Sequence, residues 1–222
     1  GGVSLGLPFV PAEVWGAGLT YERSRAARLE ESTLPDLYDR AYRDERPEIF
    51  FKDSGRRTVG PGDAIGVRSD STWTVPEPEL ALVLGDGARV VAVTLGNDVT
   101  ARDIEGQNAL YLPQAKIFAG CCALGPSLVP AGQVDPYDIE LRCRILREGR
   151  SVFEGATSTR LLRRRIEHLV SYLMRCNPVP PGTVLLTGTG IVPPDDVALR
   201  EWDVVEIEAP AIGTLRNPVV VV

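Results

Sequence analysis

The segment "EPELALVLGDGARVVAVTLGND", residues 77–98, determines the fold that we predict for this chain. It contains two apolar runs rich in β-forming residues, separated by the turn formers Gly85-Asp86-Gly87. This pattern is typical of an antiparallel β-hairpin. A turn at residues 86–88 places Leu84 opposite Val90, so one strand runs back along the other over the whole segment.

The acidic residues of this segment are expected to meet at the open end of the hairpin. Glu77 and Glu79 are two positions apart, and alternate strand residues point to the same face. Counting outward from the turn places Glu79 near Leu95 and Glu77 near Asn97, with Asp98 at the same end. Three carboxylates repel one another, and a divalent cation relieves this repulsion. The alternative is a solvated strand entry with Asp98 as a turn residue.

The ligand type limits which cation such a site would hold. Carboxylate oxygens that leave coordination positions for water or substrate suit Mg²⁺ or Mn²⁺, with Ca²⁺ as an alternative. The sequence therefore predicts an oxygen-ligand metal site.

Bulk properties indicate one domain and exclude several partner classes. A chain of 222 residues fits a single catalytic domain, 1–222, with a sizeable core. The chain starts at Gly1 rather than Met, which leaves open a small missing N-terminal portion. A net charge of -6 disfavours nucleic-acid and anionic-membrane partners. The four cysteines lack CxxC spacing, which is typical of reduced thiols in a cytoplasmic protein.

The rest of the chain predicts a mostly β protein with a few helices, of the α+β class. Residues 21–43 are charged and helix-prone but are interrupted by Pro35, and residues 105–126 are irregular and predict a functional loop. The other predicted elements are strands at 139–147 and 151–153, one clear helix at about 159–175, whose Arg163-Arg165 run we interpret as a solvated face, and a closing strand pair.

Histidine is almost absent from the sequence. The single histidine, His168, lies beside the apolar stripe of the predicted helix and is expected at the surface. Ser-His and Cys-His nucleophiles and histidine-rich zinc sites are therefore nearly excluded.

Seven motifs, in order along the chain, resemble the fumarylacetoacetate hydrolase family. The motifs are "GAGLTYERS", "RPEIFFK", "EPELALVLG", "LGNDVTARDIEG", "QAKIFAGCCALGP", "LLTGTG" and "WDVVEIEAPAIGTLRN". The resemblance implies a catalytic domain with a mixed, rolled β-sheet and a homo-oligomer, a dimer or larger. It also implies that Glu77, Glu79 and Asp98 hold the metal, that Lys116 is the family's lysine, and that Gly188 and Thr189 contact substrate.

One departure from the family pattern changes the expected reaction. Members that hydrolyse carbon–carbon bonds carry a histidine and a glutamate that activate water, and these positions fall at about Ser24 and Ala27. Neither residue can act as a general base. The segments "TYERSRAARLEES", "RPEIFFK" and "IEGQNALYLPQAK" instead resemble a branch of the family, the 2-keto-3-deoxy-pentonate dehydratases. These enzymes convert a sugar acid to 2-oxoglutarate semialdehyde in pentose breakdown.

The resemblance indicates how the dehydration would be catalysed. A metal that chelates the 2-keto acid would acidify the C3 protons. Glu48, in "RPEIFFK", is the expected proton-transfer residue, with Lys116 as the other candidate for acid/base work. Lys52 is expected to contact substrate hydroxyls or the carboxylate. The alternative for Glu48 is a strand-entry residue paired with a cation such as Arg46, and for Thr189 a glycine turn after a buried strand.

Three other functions remain open on the sequence. The first is hydrolysis of acylpyruvates or 2,4-diketo acids with the same metal, and the second is decarboxylation of oxaloacetate-like acids. The third is a sugar-acid binding module without activity, which the retained Glu77, Glu79, Asp98 and Lys116 set disfavours.

Overall fold

The computed structural model describes residues 6–31 and 35–222, and strands predominate over helices in it. The strands are β1 (Val14–Ala17), β2 (Ile49–Asp53), β3 (Thr58–Val59), β4 (Ile65–Val67), β5 (Thr74–Val75), β6 (Pro78–Leu84), β7 (Val90–Asp98), β8 (Thr100–Ala101), β9 (Cys122–Pro130), β10 (Glu140–Arg147), β11 (Arg150–Ser158), β12 (Thr183–Leu186), β13 (Val204–Ala209) and β14 (Gly213–Val221). The α-helices are α1 (Glu22–Glu31), α2 (Pro35–Arg43), α3 (Arg102–Gln107), α4 (Leu112–Lys116) and α5 (Ile166–Leu173).

Two larger sheets form the body of the protein. The first has seven strands in the order β2-β1-β12-β6-β7-β9-β3, and the second has five in the order β11-β10-β13-β14-β4. Both contain parallel and antiparallel pairs, because β1 runs parallel to β12 and β4 runs parallel to β14. This curled, mixed sheet confirms the predicted mostly β class with a few helices and the mixed, rolled sheet expected from the sequence.

The predicted hairpin is present at the centre of the seven-stranded sheet. All seven residues of β6 are buried, because β12 and β7 flank it on either side and apolar side chains cover both faces. Such burial explains the almost unbroken apolar run of "LALVL". The turn pairs Leu84 with Val90, as predicted.

The register beyond the turn differs from the prediction by one residue. The next pair is Val83 with Ala92, so Val91 is the extra residue of a β-bulge. Glu79 therefore lies opposite Gly96 rather than Leu95. A shift of one residue exchanges the two faces of a strand. Consequently Asp98, instead of Asn97, shares a face with the glutamates.

Residues 21–43, which were predicted to be helix-prone with an interruption at Pro35, form two helices. They are α1 and α2, with Pro35 as the first residue of α2. α1, which carries Ser24 and Arg28, packs against α2 and reaches the open end of the hairpin through the contact of Arg28 with Glu77.

The prediction of one long helix at about 159–175 was wrong. Only Ile166–Leu173 is α-helical, after a short 3₁₀ turn at Thr159–Leu161. The Arg163-Arg165 run is also not simply a solvated helix face. Arg164 is buried and donates to the backbone carbonyls of Ala41, Tyr42, Asp44 and Glu45, so it caps the end of α2. His168, by contrast, lies on α5 as expected and contacts the carbonyl of Glu45.

No helix within residues 6–31 and 35–222 is both long enough and apolar enough to span a lipid bilayer.

The cap on α2 gives a stability prediction. We expect Arg164→Ala to lower the free energy of unfolding by about 2–3 kcal/mol, because buried carbonyls lose charge-assisted hydrogen bonds. The matched control is Arg165→Ala, whose exposed side chain forms, among the described residues, a surface ion pair with Glu167 and a cation–π contact with Tyr137. It should change stability by less than about 1 kcal/mol. Urea unfolding measures both variants, and equal effects would contradict the capping role.

Candidate functional site

Three buried carboxylates meet at the open end of the hairpin. Glu77 precedes β6, Glu79 lies on it, and Asp98 ends β7. They are 4%, 2% and 1% exposed, respectively. One oxygen from each side chain lies within 4.8 Å of those of the other two. The structure thus brings together the three residues that the sequence predicted as metal ligands.

The backbone fixes this end of the hairpin. The amide of Asp98 donates to the carbonyl of Glu77 at 3.0 Å, and the amide of Glu77 donates to Asn97 Oδ1 at 3.1 Å. Pro78 is the first residue of β6, where its missing N–H disturbs the ladder least. The proline therefore starts the strand directly between the two glutamates.

Lys116 contacts two of the three carboxylates, those of Glu77 and Asp98. Its ammonium group, buried at the end of α4, donates to Glu77 Oε2 at 2.6 Å, Asp98 Oδ2 at 2.9 Å and Thr100 Oγ1 at 2.8 Å. Burial opposes its charge, but Asp98 and Glu77 outweigh burial and raise the pKa of Lys116. All three N–H donors are used, so Lys116 is a fixed positive charge.

Glu77 is held as a carboxylate by arginines from two helices. Arg102 of α3 and Arg28 of α1 place Nη2 atoms 3.0 and 3.1 Å from Glu77 Oε1. Burial alone would raise the pKa of Glu77, but Lys116, Arg102 and Arg28 hold it well below its usual range. Glu77 is therefore a carboxylate at physiological pH and stays a candidate metal ligand.

Glu79 has the opposite electrostatic environment. Burial and the charges of Asp98 and Glu77 raise its pKa well above the usual range. Its Oε2 accepts a hydrogen bond from the Gly188 amide at 2.5 Å. Gly188 has φ of +89°, and a Cβ there would lie 2.0 Å from Thr20 Oγ1, so the position requires glycine.

A cavity connects these carboxylates with residues of α1, β2 and the segment after β12. It is lined by Ala17, Gly18, Leu19, Ser24, Arg28, Glu48, Phe50, Glu77, Glu79, Asp98, Glu105, Lys116, Gly188 and Thr189. All the predicted site residues except Lys52 are in this lining. The cavity is the candidate active site.

Glu48 enters the cavity beside β2 and is half-buried. Its burial and the nearby charge of Glu105 raise the pKa of Glu48 to about 7. A carboxyl with this pKa can accept and release a proton at neutral pH. The chemistry therefore fits the proton-transfer role expected from the sequence.

Lys52 and Thr189 have partners within the protein. Lys52 is fully buried, lies 2.5 Å from Asp98 Oδ1 and donates to the carbonyl of Val99 at 2.9 Å. It supports Asp98 from outside the cavity lining. The hydroxyl of Thr189 accepts from the Ile191 amide at 3.1 Å and lines the cavity. Substrate contact by Lys52 or Thr189 stays a prediction.

Sequence reasoning missed the guanidinium groups and one carboxylate of the site. Arg102 binds Glu77, whereas its neighbour Asp103 accepts from Ser71 and Thr72. Arg28 could have been found from its spacing. It lies four residues after Ser24, which falls near a catalytic position of the hydrolysing members, and residues four apart share a helix face. The carboxylate, Glu105 of α3, had no comparable pattern.

The donor set fits a hard divalent cation. All three candidate ligands are carboxylates, which suits Mg²⁺, Mn²⁺ or Ca²⁺ better than a soft metal. Among the described residues, cations form ion pairs with Glu77 and Asp98 but not with Glu79, whose pKa is raised by burial and by these two carboxylates. A divalent ion beside Glu79 would supply the missing charge.

Comparison with known proteins gives a match over nearly the whole chain. Residues 13–220 match the family described as fumarylacetoacetate (FAA) hydrolase C-terminal. A 2-dehydro-3-deoxy-D-arabinonate dehydratase of Saccharolobus solfataricus is 50% identical over 217 residues, which are 96% of this chain and 73% of the relative. A probable 2-keto-3-deoxyxylonate dehydratase of Haloferax volcanii is 49% identical over 97% of this chain and 75% of its own length.

A solved structure agrees at the level of the fold. A 2-keto-3-deoxy-D-arabinonate dehydratase complexed with magnesium and 2,5-dioxopentanoate superposes with a TM-score of 0.90 at 47% identity. The match covers 97% of this chain and 75% of that structure.

The electrostatics of Glu79 predict that metal binding and protonation both stabilise the fold, because each relieves the repulsion among the buried carboxylates. We expect Glu79→Gln, measured in EDTA at pH 8, to raise the free energy of unfolding by about 1–3 kcal/mol. The amide relieves repulsion from Asp98 and Glu77 and still accepts from Gly188. Because a raised pKa in the folded state costs stability as pH rises, the gain should shrink toward pH 5.

The same variant tests metal ligation. Saturating magnesium chloride should stabilise the wild type by roughly 3 kcal/mol at 100 times its dissociation constant. Glu79→Gln should show a much smaller increase in melting temperature. Equal stabilisation of both proteins by magnesium would contradict a ligand role for Glu79.

Proposed function

Because the chain belongs to the fumarylacetoacetate hydrolase family, we propose that it is a metal-dependent dehydratase of 2-keto-3-deoxy-pentonates that forms 2-oxoglutarate semialdehyde, also named 2,5-dioxopentanoate. The observation that carries this proposal is the 50% identity to an arabinonate-derived keto acid dehydratase over 96% of the chain. The cavity supports it, since Glu48, Lys116 and three acidic residues line one space.

Glu77, Glu79 and Asp98 are the residues that would hold the metal, with Mg²⁺ as the first choice and Mn²⁺ or Ca²⁺ as alternatives. When bound, the ion would polarise the C2 carbonyl of the substrate and stabilise negative charge on its oxygen. Lys52 and Gly188 keep Asp98 and Glu79 in place through the contacts given above.

Glu48 moves the proton in this proposal. As a carboxylate it takes a proton from C3, and as a carboxylic acid it gives that proton to the C4 hydroxyl, which leaves as water. Its pKa of about 7 makes both forms accessible near neutral pH. Phe50, two residues along β2, covers one side of the cavity and helps to exclude water.

Lys116 acts by its charge rather than as a base. Its raised pKa and its hydrogen bonds to Glu77, Asp98 and Thr100 keep it protonated. A fixed ammonium group beside the substrate would stabilise the enolate that forms when C3 loses its proton.

The substrate carboxylate and hydroxyls need neutral donors as well. We place the Gly188 and Thr189 segment near the keto acid, since both residues line the cavity. Lys52 would contribute indirectly, by holding Asp98 in place. The sequence also predicts that Lys52 contacts the substrate hydroxyls or carboxylate directly.

Hydrolysis of a diketo acid is less well supported by the residues of α1. Ser24 donates its hydroxyl proton to the carbonyl of Tyr21, and Ala27 has no group that could activate water. Decarboxylation of an oxaloacetate-like acid would leave Glu48 without a role in proton abstraction.

We further propose a single catalytic domain that works in the cytoplasm as a homo-oligomer, a dimer or larger. All four cysteines are free thiols, which is typical of a reducing compartment. The proposed partner is a small 2-keto acid.

Product analysis tests the reaction type. Incubation of the protein with 2-keto-3-deoxy-arabinonate and 2-keto-3-deoxy-xylonate in magnesium should yield a product that is one water lighter and carries an aldehyde. Mass spectrometry and NMR identify it, and EDTA should abolish its formation. Carbon dioxide release, or two acid fragments from a diketo acid, would reject dehydration.

Replacement of Glu48 tests the proton-transfer role. We expect Glu48→Gln to lower kcat by about 10²- to 10⁴-fold, because the amide cannot exchange a proton. Magnesium affinity, measured by calorimetry, should stay within about twofold of that of the wild type. The control Glu30→Gln, on the exposed side of α1, should keep full activity. Unchanged turnover of Glu48→Gln would exclude this role.

A further inference from the structure

We infer that Glu105 is a second proton-transfer residue, which acts at the far end of the substrate after water has left. This inference rests on the proposed function and extends it from one carboxyl group to two. It follows from the placement of Glu105 in the cavity and from the number of proton transfers that the product requires.

Loss of water alone does not give the semialdehyde. Removal of hydrogen from C3 and hydroxide from C4 produces a conjugated acid, 5-hydroxy-2-oxopent-3-enoate, with a double bond between C3 and C4. The aldehyde forms only when C5 loses a hydrogen. A base that is positioned at C3 would be poorly placed to remove a proton from C5. A second base near C5 is therefore needed.

Glu105 shares the cavity with the metal-ligand cluster but is not part of it. It is 6% exposed and lines the cavity together with Glu48 and Glu77. A second, largely apolar cavity lies between α2 and the segment from Ala109 to Leu112. Glu105 and Glu48 line both cavities, so they form the boundary between them.

Ion pairs set the position of Glu105. Nη2 of Arg28 lies 3.0 Å from Glu105 Oε2 and 3.1 Å from Glu77 Oε1, so one guanidinium group spans the distance from a candidate metal ligand to Glu105. Arg102 Nε lies 3.9 Å from the same Glu105 oxygen. We therefore place C1 and C2 of a five-carbon acid near Glu77 and its C4 and C5 on the Glu105 side of the same cavity.

The two carboxyl groups differ in their environments. Glu105 is ion-paired with Arg28 and Arg102, whereas Glu48 has no hydrogen bond or ion pair to its carboxyl group among the described residues. Such a difference is what separates the roles of two carboxyl groups in one site. Glu48 is suited to exchange a proton in both directions, and the two arginines hold the Glu105 carboxylate in place beside the cavity.

The second stage balances without an oxidant. The C5–H bond breaks, its proton goes to Glu105, and its electron pair forms the C4–C5 double bond. The former C3–C4 pair moves to C2–C3, and the carbonyl pair moves to the C2 oxygen. Protonation of C3 restores the carbonyl and leaves an enol at C4 and C5. Loss of the enol O–H proton and protonation of C4 give the aldehyde.

The experiment compares wild type, Glu105→Gln and Glu105→Asp with two substrates. These are the 2-keto-3-deoxy-pentonate and synthetic 5-hydroxy-2-oxopent-3-enoate, followed by NMR and by the ultraviolet absorbance of the conjugated acid. With the sugar acid, Glu105→Gln should accumulate the conjugated acid and form aldehyde about 10²-fold more slowly or worse. Glu105→Asp should recover part of the aldehyde rate.

Two controls separate chemistry from structure. Magnesium affinity of Glu105→Gln should stay within about twofold of wild type by calorimetry, and Glu30→Gln should convert both substrates normally. Wild type should convert the synthetic conjugated acid to aldehyde, and Glu105→Gln should fail to do so at a comparable rate.

Other results overturn the inference in distinguishable ways. If wild type dehydrates the sugar acid while Glu105→Gln forms aldehyde at the wild-type rate, the role of Glu105 is rejected and the proposed function stands. If the variant loses water release and aldehyde formation equally, Glu105 has only a structural role. If wild type converts neither substrate, the proposed function and this inference both fail.

Discussion

The burial of three carboxylates at one end of a hairpin is the constraint on which the rest of the structure depends. Charged groups in a protein interior need compensation by partners of opposite sign. Here four cationic side chains approach the cluster, from four different elements: Arg28 on α1, Lys52 on β2, Arg102 on α3 and Lys116 on α4. Ion pairs thus hold the surrounding helices to the hairpin, and the burial of these charges costs folding stability.

The charge balance of the site fits an anionic substrate. Five carboxyl groups, those of the three candidate ligands with Glu48 and Glu105, line the cavity, and four cations contact this group. With all groups ionised, one negative charge remains, and a divalent cation would convert this to one positive charge. A singly charged keto acid would then neutralise the site. Electrostatic complementarity of this kind favours acids over neutral sugars.

The sequence predicts which residues are the candidate metal ligands, but it does not predict correctly how the two strands that carry them pair. Alternation in a strand places Glu77 and Glu79 on one face, and this follows from local structure alone. The face that Asp98 occupies depends on the bulge at Val91, which no local pattern indicated, since "VVAV" is equally compatible with a regular strand. Arg164 illustrates the same limit, because a helical pattern cannot show that distant carbonyls will bind one of its arginines. Contacts between elements decided both outcomes.

The first helix offers a physical reason why this scaffold would favour dehydration over water attack. The positions that carry a histidine and a glutamate in hydrolysing members of the family fall at about Ser24 and Ala27, and Arg28 is the next residue. A guanidinium group stays protonated and accepts no proton, so it cannot activate water. Arg28 instead joins Glu77 to Glu105. Ser24 and Ala27 therefore leave this helix without a base that could activate water, while Arg28 on the same helix fixes the Glu105 carboxylate beside the cavity.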